Sequence, residues 1–422
     1  TGPDVACCVC CNRVATSSRC IPGANCDADV TASVGAARYA ARMPKVWTRR
    51  RAGTPEPGPA RLVRSPAPNR PEIHQIVLPL APRDTRSSAA PSSGWALDSV
   101  QVYLIEDEPL TLVDTGVRSA ASRIALESAL DELGYGLSDL RRIVLTHAHR
   151  DHMGLVETIR SLSPDLECWV HEADAAVVED YGQAIRDRIE QLSSLFLEHG
   201  VPTAVVDGLH ADRLAGLAVD EAEGEATRVT RRLRDGDAVA GKRIGLRVHH
   251  APGHTPGHVL LEDEASGVLL TGDLVMGQAM PHAETCYLDE MAMPGDPARR
   301  RPRFRGLVEM RRSLRRLRGR PFGVLLPGYG GVLRRADRAI RDTLLYYDVR
   351  IQRIERGLRH LAAMGQDVTV YELWKSLFPP DEAPGPMRSH LLLLIGALDC
   401  LEEDGAVVTE RREDGVLTHH HR

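Results

Sequence analysis

The sequence of 422 residues predicts an α+β fold followed by a smaller helical domain. Between residues 73 and 330, short apolar runs of strand character alternate with segments whose apolar residues recur at helical spacing. After residue 335 the pattern changes to three amphipathic helices and a hairpin, which is typical of a winged-helix-like domain. We therefore predict a catalytic domain over residues 71–335 and a winged-helix-like domain over residues 336–422.

The first 70 residues have a different composition. They are rich in Pro, Arg, Ala and Ser and lack a hydrophobic period, so we predict that segment 1–70 is disordered. Six of the nine cysteines lie within the first 26 residues. They occur partly as adjacent pairs, without the CxxC…CxxC frame of a zinc site, so their metal signal is weak. No signal-peptide pattern and no long uncharged apolar stretch occurs, so we expect a cytoplasmic protein with no membrane span.

The predicted strands of the larger domain have apolar residues that either alternate or run continuously. They lie at residues 73–80, 100–107, 110–116, 141–149, 166–174, 243–254 and 322–330, and a further pair forms a hairpin at 258–273. A helix at 122–134 ends at a glycine, and the polar helical stretch at about 174–232 is predicted to be an insertion long enough to cover a site.

The smaller domain begins with a long helix. Its second helix starts at a Thr-x-x-Glu capping box formed by Thr369 and Glu372. A third helix at 387–404 is followed by a hairpin with Asp414-Gly415 at its turn. We expect this domain either to pack against the catalytic domain or to form a homodimer interface, and the terminal histidines 419–421 to be solvated.

Four metal-ligand residues lie within six positions of the segment "THAHRDHMG", directly after a predicted strand. They are His147, His149, Asp151 and His152. A lone histidine is usually structural, but this density of imidazole and carboxylate groups predicts a metal centre. Imidazole suits zinc or iron, and a neighbouring carboxylate suits a second or harder ion.

This segment resembles the HxHxDH signature of the metallo-β-lactamase superfamily, and three other motifs agree. "APGHTPGH" supplies His254, "LLTGD" supplies Asp273, and "LVDTG" supplies Asp114. The resemblance covers about residues 73–335 and implies an αββα sandwich. It implies one metal held by His147, His149 and His254, a second held by Asp151 and His152, Asp273 between them, and Asp114 as a support of the metal loop.

One motif departs from the family. "LLPGYG" has Tyr329 where members usually have the histidine that completes the second metal site. A phenol has an ordinary pKa of about 10, so it is a poor neutral ligand at pH 7. Tyr329 could bind as phenolate, donate a hydrogen bond to a developing oxyanion, or mark a loss of the second site. His282 is a candidate substitute ligand. We therefore expect one or two zinc ions, with iron as an alternative.

The resemblance implies a metal-dependent hydrolase that uses a metal-bound hydroxide. Asp151 and Tyr329 are the candidate catalytic residues, with Asp151 as general base and Asp273 helping to orient the hydroxide. The C-terminal domain makes the chain similar to the β-lactamase-like-protein-2 branch, which contains thioesterases and an endoribonuclease. The insertion over the site favours a thioester or related acyl substrate, either a small molecule or carrier-bound.

Three alternatives remain open at this stage. Eleven arginines at 299–321 could contact nucleic acid, which would indicate an endoribonuclease or other phosphodiesterase. Against this, apolar residues in that segment fit one face of a helix, which leaves arginines on its solvated side, and acids at the end of the third C-terminal helix would repel phosphate. The second alternative is a mononuclear iron oxygenase acting on a thiol or persulfide. The third is a binding module without catalysis, which the intact ligand motifs disfavour.

Overall fold

A computed structural model describes residues 61–70, 72–80, 97–277, 279–288, 298, 300–378, 381–382 and 384–422. The cysteine cluster near the N-terminus lies outside these residues, as does most of the segment predicted to be disordered. Strand β1 (Arg61–Val63) nevertheless pairs with β2 (Ile73–Pro79), so the predicted disordered segment extends too far at its C-terminal end. A three-residue edge strand contains no hydrophobic period, which is why the sequence did not reveal it.

The first sheet has seven strands in sequential order, antiparallel from β1 to β4 and parallel from β4 to β7. The strands after β2 are β3 (Ser99–Ile105), β4 (Thr111–Val113), β5 (Arg142–Val144), β6 (Glu167–His171) and β7 (Arg231–Leu233). The helices between them are α1 (Ala120–Asp131), α2 (Arg150–Met153), α3 (Val156–Arg160), α4 (Glu172–Glu179), α5 (Tyr181–Glu198) and α6 (Thr203–Glu223).

The second sheet has five strands in the order β14-β11-β10-β9-β8, with one parallel pair, β11 and β14. Its strands are β8 (Ala238–Ala240), β9 (Gly245–His250), β10 (Val259–Asp263), β11 (Val268–Gly272) and β14 (Val324–Pro327). Strands β12 (Thr285–Tyr287) and β13 (Arg303–Arg305) form a separate ribbon, and helix α7 (Gly306–Leu317) follows it. The short strands β7, β8, β12 and β13 were not predicted. Unlike β4 and β5, which also have three residues, they do not lie within a longer apolar run of the sequence.

The two sheets pack face to face and helices cover both outer faces, so the αββα sandwich is confirmed. Along each strand, successive side chains point alternately between the two sheets and toward the outer helices. Val144 lies between the sheets, and its neighbour Ile143 faces the helices. In the second sheet, Val259 and Leu261 point inward, whereas Leu260 packs outward against the C-terminal helices. This period of two fits strands that are buried on both faces.

The predicted helical insertion is present as α4, α5 and α6. It closes with the first residues of β7, so its last two predicted residues belong to a strand instead. The side chains of β7 include two arginines, which hid its strand character. Leu195, Phe196 and Val206 of the insertion belong to the same hydrophobic cluster as the C-terminal helices. The insertion is therefore packed against the rest of the protein.

The C-terminal region has the predicted three helices and hairpin. They are α8 (Ala336–Ala363), α9 (Val370–Leu377), α10 (Pro384–Glu403), β15 (Val407–Arg411) and β16 (Leu417–His421). The Thr369 side chain accepts from the Glu372 backbone N–H at 3.2 Å, as its capping motif predicts. The expectation that residues 419–421 are solvated was wrong for His419, which is buried in β16.

The arginine-rich segment 299–321 is held mainly by acids of the C-terminal region. Helix α7 buries the predicted apolar face, including Leu307 and Leu314. Arg303 donates to Asp399 at 2.6 Å, and further pairs join Arg300 and Arg305 to Glu402. The acids expected to repel phosphate therefore neutralise several arginines that were expected to be solvated. This attraction docks α10 onto the catalytic domain.

Within the described ranges, no helix is both long enough and apolar enough to cross a bilayer.

Candidate metal centre

Loops that follow five strands meet at one edge of the sandwich. The loop after β4 carries Asp114, and the loop after β5 carries the HxHxDH segment. The loops after β9, β11 and β14 carry His254, Asp273 and Tyr329. A rigid pair of sheets thus brings together residues that are far apart in sequence.

Three histidines converge on one point. Nε2 of His147 lies 3.0 Å from Nδ1 of His149, which lies 3.0 Å from Nε2 of His254. These atoms form one of the two metal-competent groups found among the described residues. A tetrahedral zinc with Zn–N bonds of about 2.0–2.1 Å would hold such nitrogens about 3.3 Å apart. We call this group the three-histidine site, and its spacing fits an ion after a small outward movement.

Hydrogen bonds on the far side of two rings leave the inner nitrogens free to bind a cation. Nδ1 of His147 lies 3.0 Å from the Thr146 hydroxyl, and Nδ1 of His254 lies 2.9 Å from the backbone carbonyl oxygen of His282. When each Nδ1 carries the proton and donates it outward, each Nε2 presents a lone pair to the site. Burial, together with the neighbouring imidazoles, lowers the pKa of His147 and His254 well below the ordinary value, so both rings are neutral at pH 7.

The second metal-competent group is formed by His147, His152 and Asp273. Nε2 of His152 lies 3.4 Å from Oδ1 of Asp273, and neither atom has a hydrogen-bond partner within the part of the chain that the structure describes. The other Asp273 oxygen, Oδ2, lies 3.4 Å from Nε2 of His254. The Asp273 carboxylate therefore stands between the two groups, in a position suited to bridging two cations.

Asp114 holds both His152 and the HxHxDH loop in position. Its carboxylate accepts from the backbone N–H and the hydroxyl of Thr146 and from Nδ1–H of His152, each at 2.8 Å. Its φ of 59° is a left-handed conformation that Asp tolerates better than most residues. Burial disfavours the charged form of His152, but Asp273 and Asp114 outweigh it and raise the His152 pKa well above its usual value. In place of a proton, a cation at Nε2 would compensate the Asp273 carboxylate, while Asp114 keeps its hydrogen bond to Nδ1.

Tyr329 occupies the place where the family pattern puts a histidine. It is buried, and its hydroxyl donates a hydrogen bond to Oδ2 of Asp151. Burial and the carboxylates of Asp151 and Asp273 raise the Tyr329 pKa well above 10. The side chain is therefore a neutral donor at pH 7, and a phenolate ligand is disfavoured. Asp151 itself stays ionised, because His152, Arg150 and His149 outweigh its burial and lower its pKa.

Asp174 is a supporting residue that the sequence did not single out. Its carboxylate accepts from Ala148 N–H at 3.0 Å, the Thr255 hydroxyl at 2.7 Å and Gly257 N–H at 2.6 Å. It thus ties the HxHxDH loop to the loop of His254. The only local signal is a carboxylate at the end of a predicted strand, which many strands share.

At two glycines the backbone lies in close contact with carboxylates of the centre, which the sequence did not predict. A Cβ on Gly328 would lie 2.5 Å from Oδ1 of Asp273, and one on Gly257 would lie 2.6 Å from Asp174. Only glycine fits at these two positions, because any side chain would displace the carboxylates. His258 supports the same region, since its Nε2 accepts from Asp273 N–H at 3.1 Å.

His282 borders the centre without joining either metal-competent group of the described residues. Its exposed ring lies with its centroid 5.7 Å from that of His149 and 4.7 Å from that of His254. Its backbone carbonyl supports His254, as described above. The structure therefore does not place His282 as the replacement for the histidine missing at Tyr329.

Comparisons with known proteins agree with this geometry. The sequence model of the metallo-beta-lactamase superfamily matches residues 95–329. The chain is 29% identical to the probable metallo-hydrolase YqjP of Bacillus subtilis (strain 168) over 320 residues, covering 75% of this chain and 91% of the relative. It is 28% identical to the probable metallo-hydrolase YflN of the same organism over 249 residues, covering 56% of this chain and 83% of that relative.

Two solved structures share the architecture over most of the chain. A metallo-beta-lactamase family protein from Thermus thermophilus has a TM-score of 0.60 at 25% identity, covering 83% of this chain and 99% of that one. A beta-lactamase domain protein from Burkholderia ambifaria has a TM-score of 0.62 at 22% identity, covering 83% and 93%. The family model spans more than half of the sequence and includes the ligand motifs. The chain belongs to the metallo-beta-lactamase superfamily.

Proposed function

We propose that this metallo-hydrolase cleaves a thioester or related acyl substrate, small or carrier-bound, with zinc as its metal. The observation that carries the proposal is the hydrogen bond from Tyr329 to Asp151 beside an intact three-histidine site. This arrangement pairs one well-built cation site with a neutral O–H donor. Such a donor can stabilise the negative charge that develops on the carbonyl oxygen during acyl transfer.

The three-histidine site would hold the first ion through His147, His149 and His254, which is a ligand set that suits zinc. His152 and Asp273 would hold any second ion. When bound, a divalent ion lowers the pKa of a water molecule toward 7 and polarises the bond to be attacked.

The protein's own groups supply the rest of the chemistry. Asp151 is ionised, so its carboxylate can accept a hydrogen bond from the attacking water and orient it. The nearby positive charges that lower its pKa weaken it as a base, so it would take the proton only from a water that a bound cation has made more acidic. The Tyr329 hydroxyl holds this carboxylate in one orientation. Once Asp151 has taken up the proton of the attacking water, it no longer needs this donor, and the phenol O–H would turn to the substrate oxygen. Asp273, held through its backbone N–H by His258, orients the nucleophile from the other side.

The ion pairs of segment 299–321 weaken the case for a phosphodiester substrate. Arg303 is buried against Asp399, and Arg305 and Arg312 pair with Glu402 and Glu403. Arginines neutralised by carboxylates attract phosphate much less than free ones. An acyl substrate needs no such basic surface.

The test is a substrate panel with purified protein at controlled zinc content. Acyl thioesters of varied chain length are compared with an aryl phosphodiester, and His147→Ala serves as the inactive control. We expect thioester hydrolysis that His147→Ala abolishes, and a large drop in kcat for Tyr329→Phe. Hydrolysis of the phosphodiester in preference to every thioester would refute the proposal. Purification with about one iron per chain, together with oxygen consumption on a thiol, would favour the oxygenase alternative.

A further inference from the structure

The helical insertion contacts both loops that form the three-histidine site. Arg150 lies between the ligand His149 and Asp151 in the HxHxDH loop. Its Nε donates to Oε2 of Glu223 at 2.7 Å, and its Nη1 donates to Asp220. Both acids belong to the last turn of α6 in the insertion. The first ligand loop is therefore anchored to the insertion by a forked guanidinium.

This anchor is well protected from solvent. The Asp220 side chain is 2% exposed and also accepts from Arg213 at 2.8 Å. A buried pair of this kind resists separation, because breaking it leaves an uncompensated charge. The backbones of the ligand loop and the insertion are also in close contact, because a Cβ on Gly154 would lie 2.5 Å from the carbonyl oxygen of Glu223.

A second arginine reaches the segment that supports the other ligand loop. Arg188 of α5 pairs with Glu284 and also donates to the Thr285 carbonyl at 3.4 Å. Glu284 N–H donates to the carbonyl of Gly253 at 2.9 Å, directly before His254. Two residues before Glu284, the His282 carbonyl accepts from Nδ1 of His254. The insertion thus supports the segment that orients this ligand.

Asp174, the first-turn residue of α4, joins the two loops directly, as described for the metal centre. The insertion therefore contacts the site through α4, α5 and α6. Its apolar side is packed into the same cluster as the C-terminal helices. Such packing and buried ion pairs are unlike the few, solvated contacts of a loop that opens easily.

We propose that the helical insertion braces the three-histidine site, with Arg150 and Arg188 as positioning residues. Neither side chain is a ligand. Arg150 holds the HxHxDH loop, and Arg188 holds the segment behind the loop of His254, so that the imidazoles start close to binding geometry. Outer partners of metal ligands commonly contribute about tenfold to 100-fold in affinity. The insertion then serves metal binding.

The test measures zinc affinity of the full chain by competition with a chromophoric chelator. Arg150→Met and Arg188→Met remove the two contacts, and Arg186→Met is the matched control. Arg186 lies in α5 and pairs with Glu221 of α6, but this half-exposed pair stays within the insertion. We expect roughly tenfold weaker zinc binding for the first two variants, at the lower end for outer partners, and no change for the control.

Two further measurements separate positioning from general stability. Cobalt substituted for zinc reports ligand geometry through its visible spectrum, which should change in Arg150→Met and Arg188→Met and recover in part in Arg150→Lys. Unfolding of the metal-free proteins identifies variants that fail to fold. In that case Glu223→Ala and Glu284→Ala each remove one carboxylate acceptor of these arginines from the other side. Folded variants that bind zinc as tightly as Arg186→Met, with an unchanged cobalt spectrum, would overturn the proposal.

Discussion

The hydroxyl of Tyr329 donates a hydrogen bond to the carboxylate of Asp151, across 178 positions of the sequence. The phenol thereby occupies one oxygen of a carboxylate that the family pattern assigns to the second metal. The three-histidine site is untouched by this contact. The three-histidine site and the second metal site should consequently differ in metal affinity.

The first prediction concerns metal stoichiometry. Tyr329→His should raise metal content from about one toward two ions per chain, because imidazole is a neutral ligand and releases Asp151 from the phenol. Elemental analysis of protein equilibrated with equal zinc checks this. Tyr329→Phe is the control, since it also releases Asp151 but supplies no ligand. Equal metal content in the wild type and Tyr329→His would show that Tyr329 does not limit the second site.

The second prediction concerns Asp114. Asp114→Asn keeps the left-handed backbone, which Asn also tolerates, but turns one acceptor into a donor that faces Thr146 or His152. We expect zinc affinity to fall by about tenfold to 100-fold. Chelator competition measures the loss, and an unchanged circular dichroism spectrum shows that the fold is kept. Zinc binding at wild-type strength would mean that the loop holds its shape without this carboxylate.

The third prediction concerns the pair of Arg303 and Asp399, whose side chains are 8% and 4% exposed. Arg303→Met should lower the free energy of unfolding by about 3 kcal/mol, because it leaves the buried Asp399 carboxylate with only the longer contact of 3.4 Å from Arg305. Arg312→Met is the control, since Arg312 is 47% exposed and its loss should cost less than about 1 kcal/mol. Urea denaturation measures both, and similar losses for the two variants would contradict the argument.

The fourth prediction concerns pH. The rings of His199 and His419 stack with centroids 5.6 Å apart, and both residues are buried. Burial, followed by nearby positive charges, lowers the His199 pKa well below its ordinary value, whereas burial lowers the pKa of His419 to about 3. Below about pH 6.5, these two histidines therefore bind protons in the unfolded chain but stay neutral in the folded chain. Stability should be fully present above that pH and fall as the pH decreases toward 3.

Each of these histidines should contribute about 1.4 kcal/mol of lost stability per pH unit in that range. Neither nitrogen of His199 has a hydrogen-bond partner within the described residues, so His199→Leu removes the titrating group without breaking a bond. Urea denaturation between pH 7 and pH 5 should give a shallower slope for this variant. His360→Leu, at an exposed position of α8, is the control, and parallel slopes for wild type and His199→Leu would refute the assignment.

Local pattern was sufficient for the large elements of this fold. Long apolar runs predicted β2, β3 and β10, and helical spacing predicted α7 and the insertion, because buried strands and amphipathic helices need those periods. Strands of three residues, such as β1 and β8, were missed because they are stabilised by their neighbours in the sheet. The burial of His419 was missed for the same reason, since its environment comes from residues distant in sequence.

The sequence by itself determined which residues carry the metal chemistry, because ligand type and spacing are local properties. His147, His149 and His254 were identifiable without a structure, and so was the missing histidine at Tyr329. Tertiary structure decided what each carboxylate does. Asp399 neutralises Arg303, Asp174 joins two ligand loops, and Asp151 accepts from Tyr329. A carboxylate's role depends on which donors the fold brings within about 3 Å of it, and those donors come from distant parts of the chain.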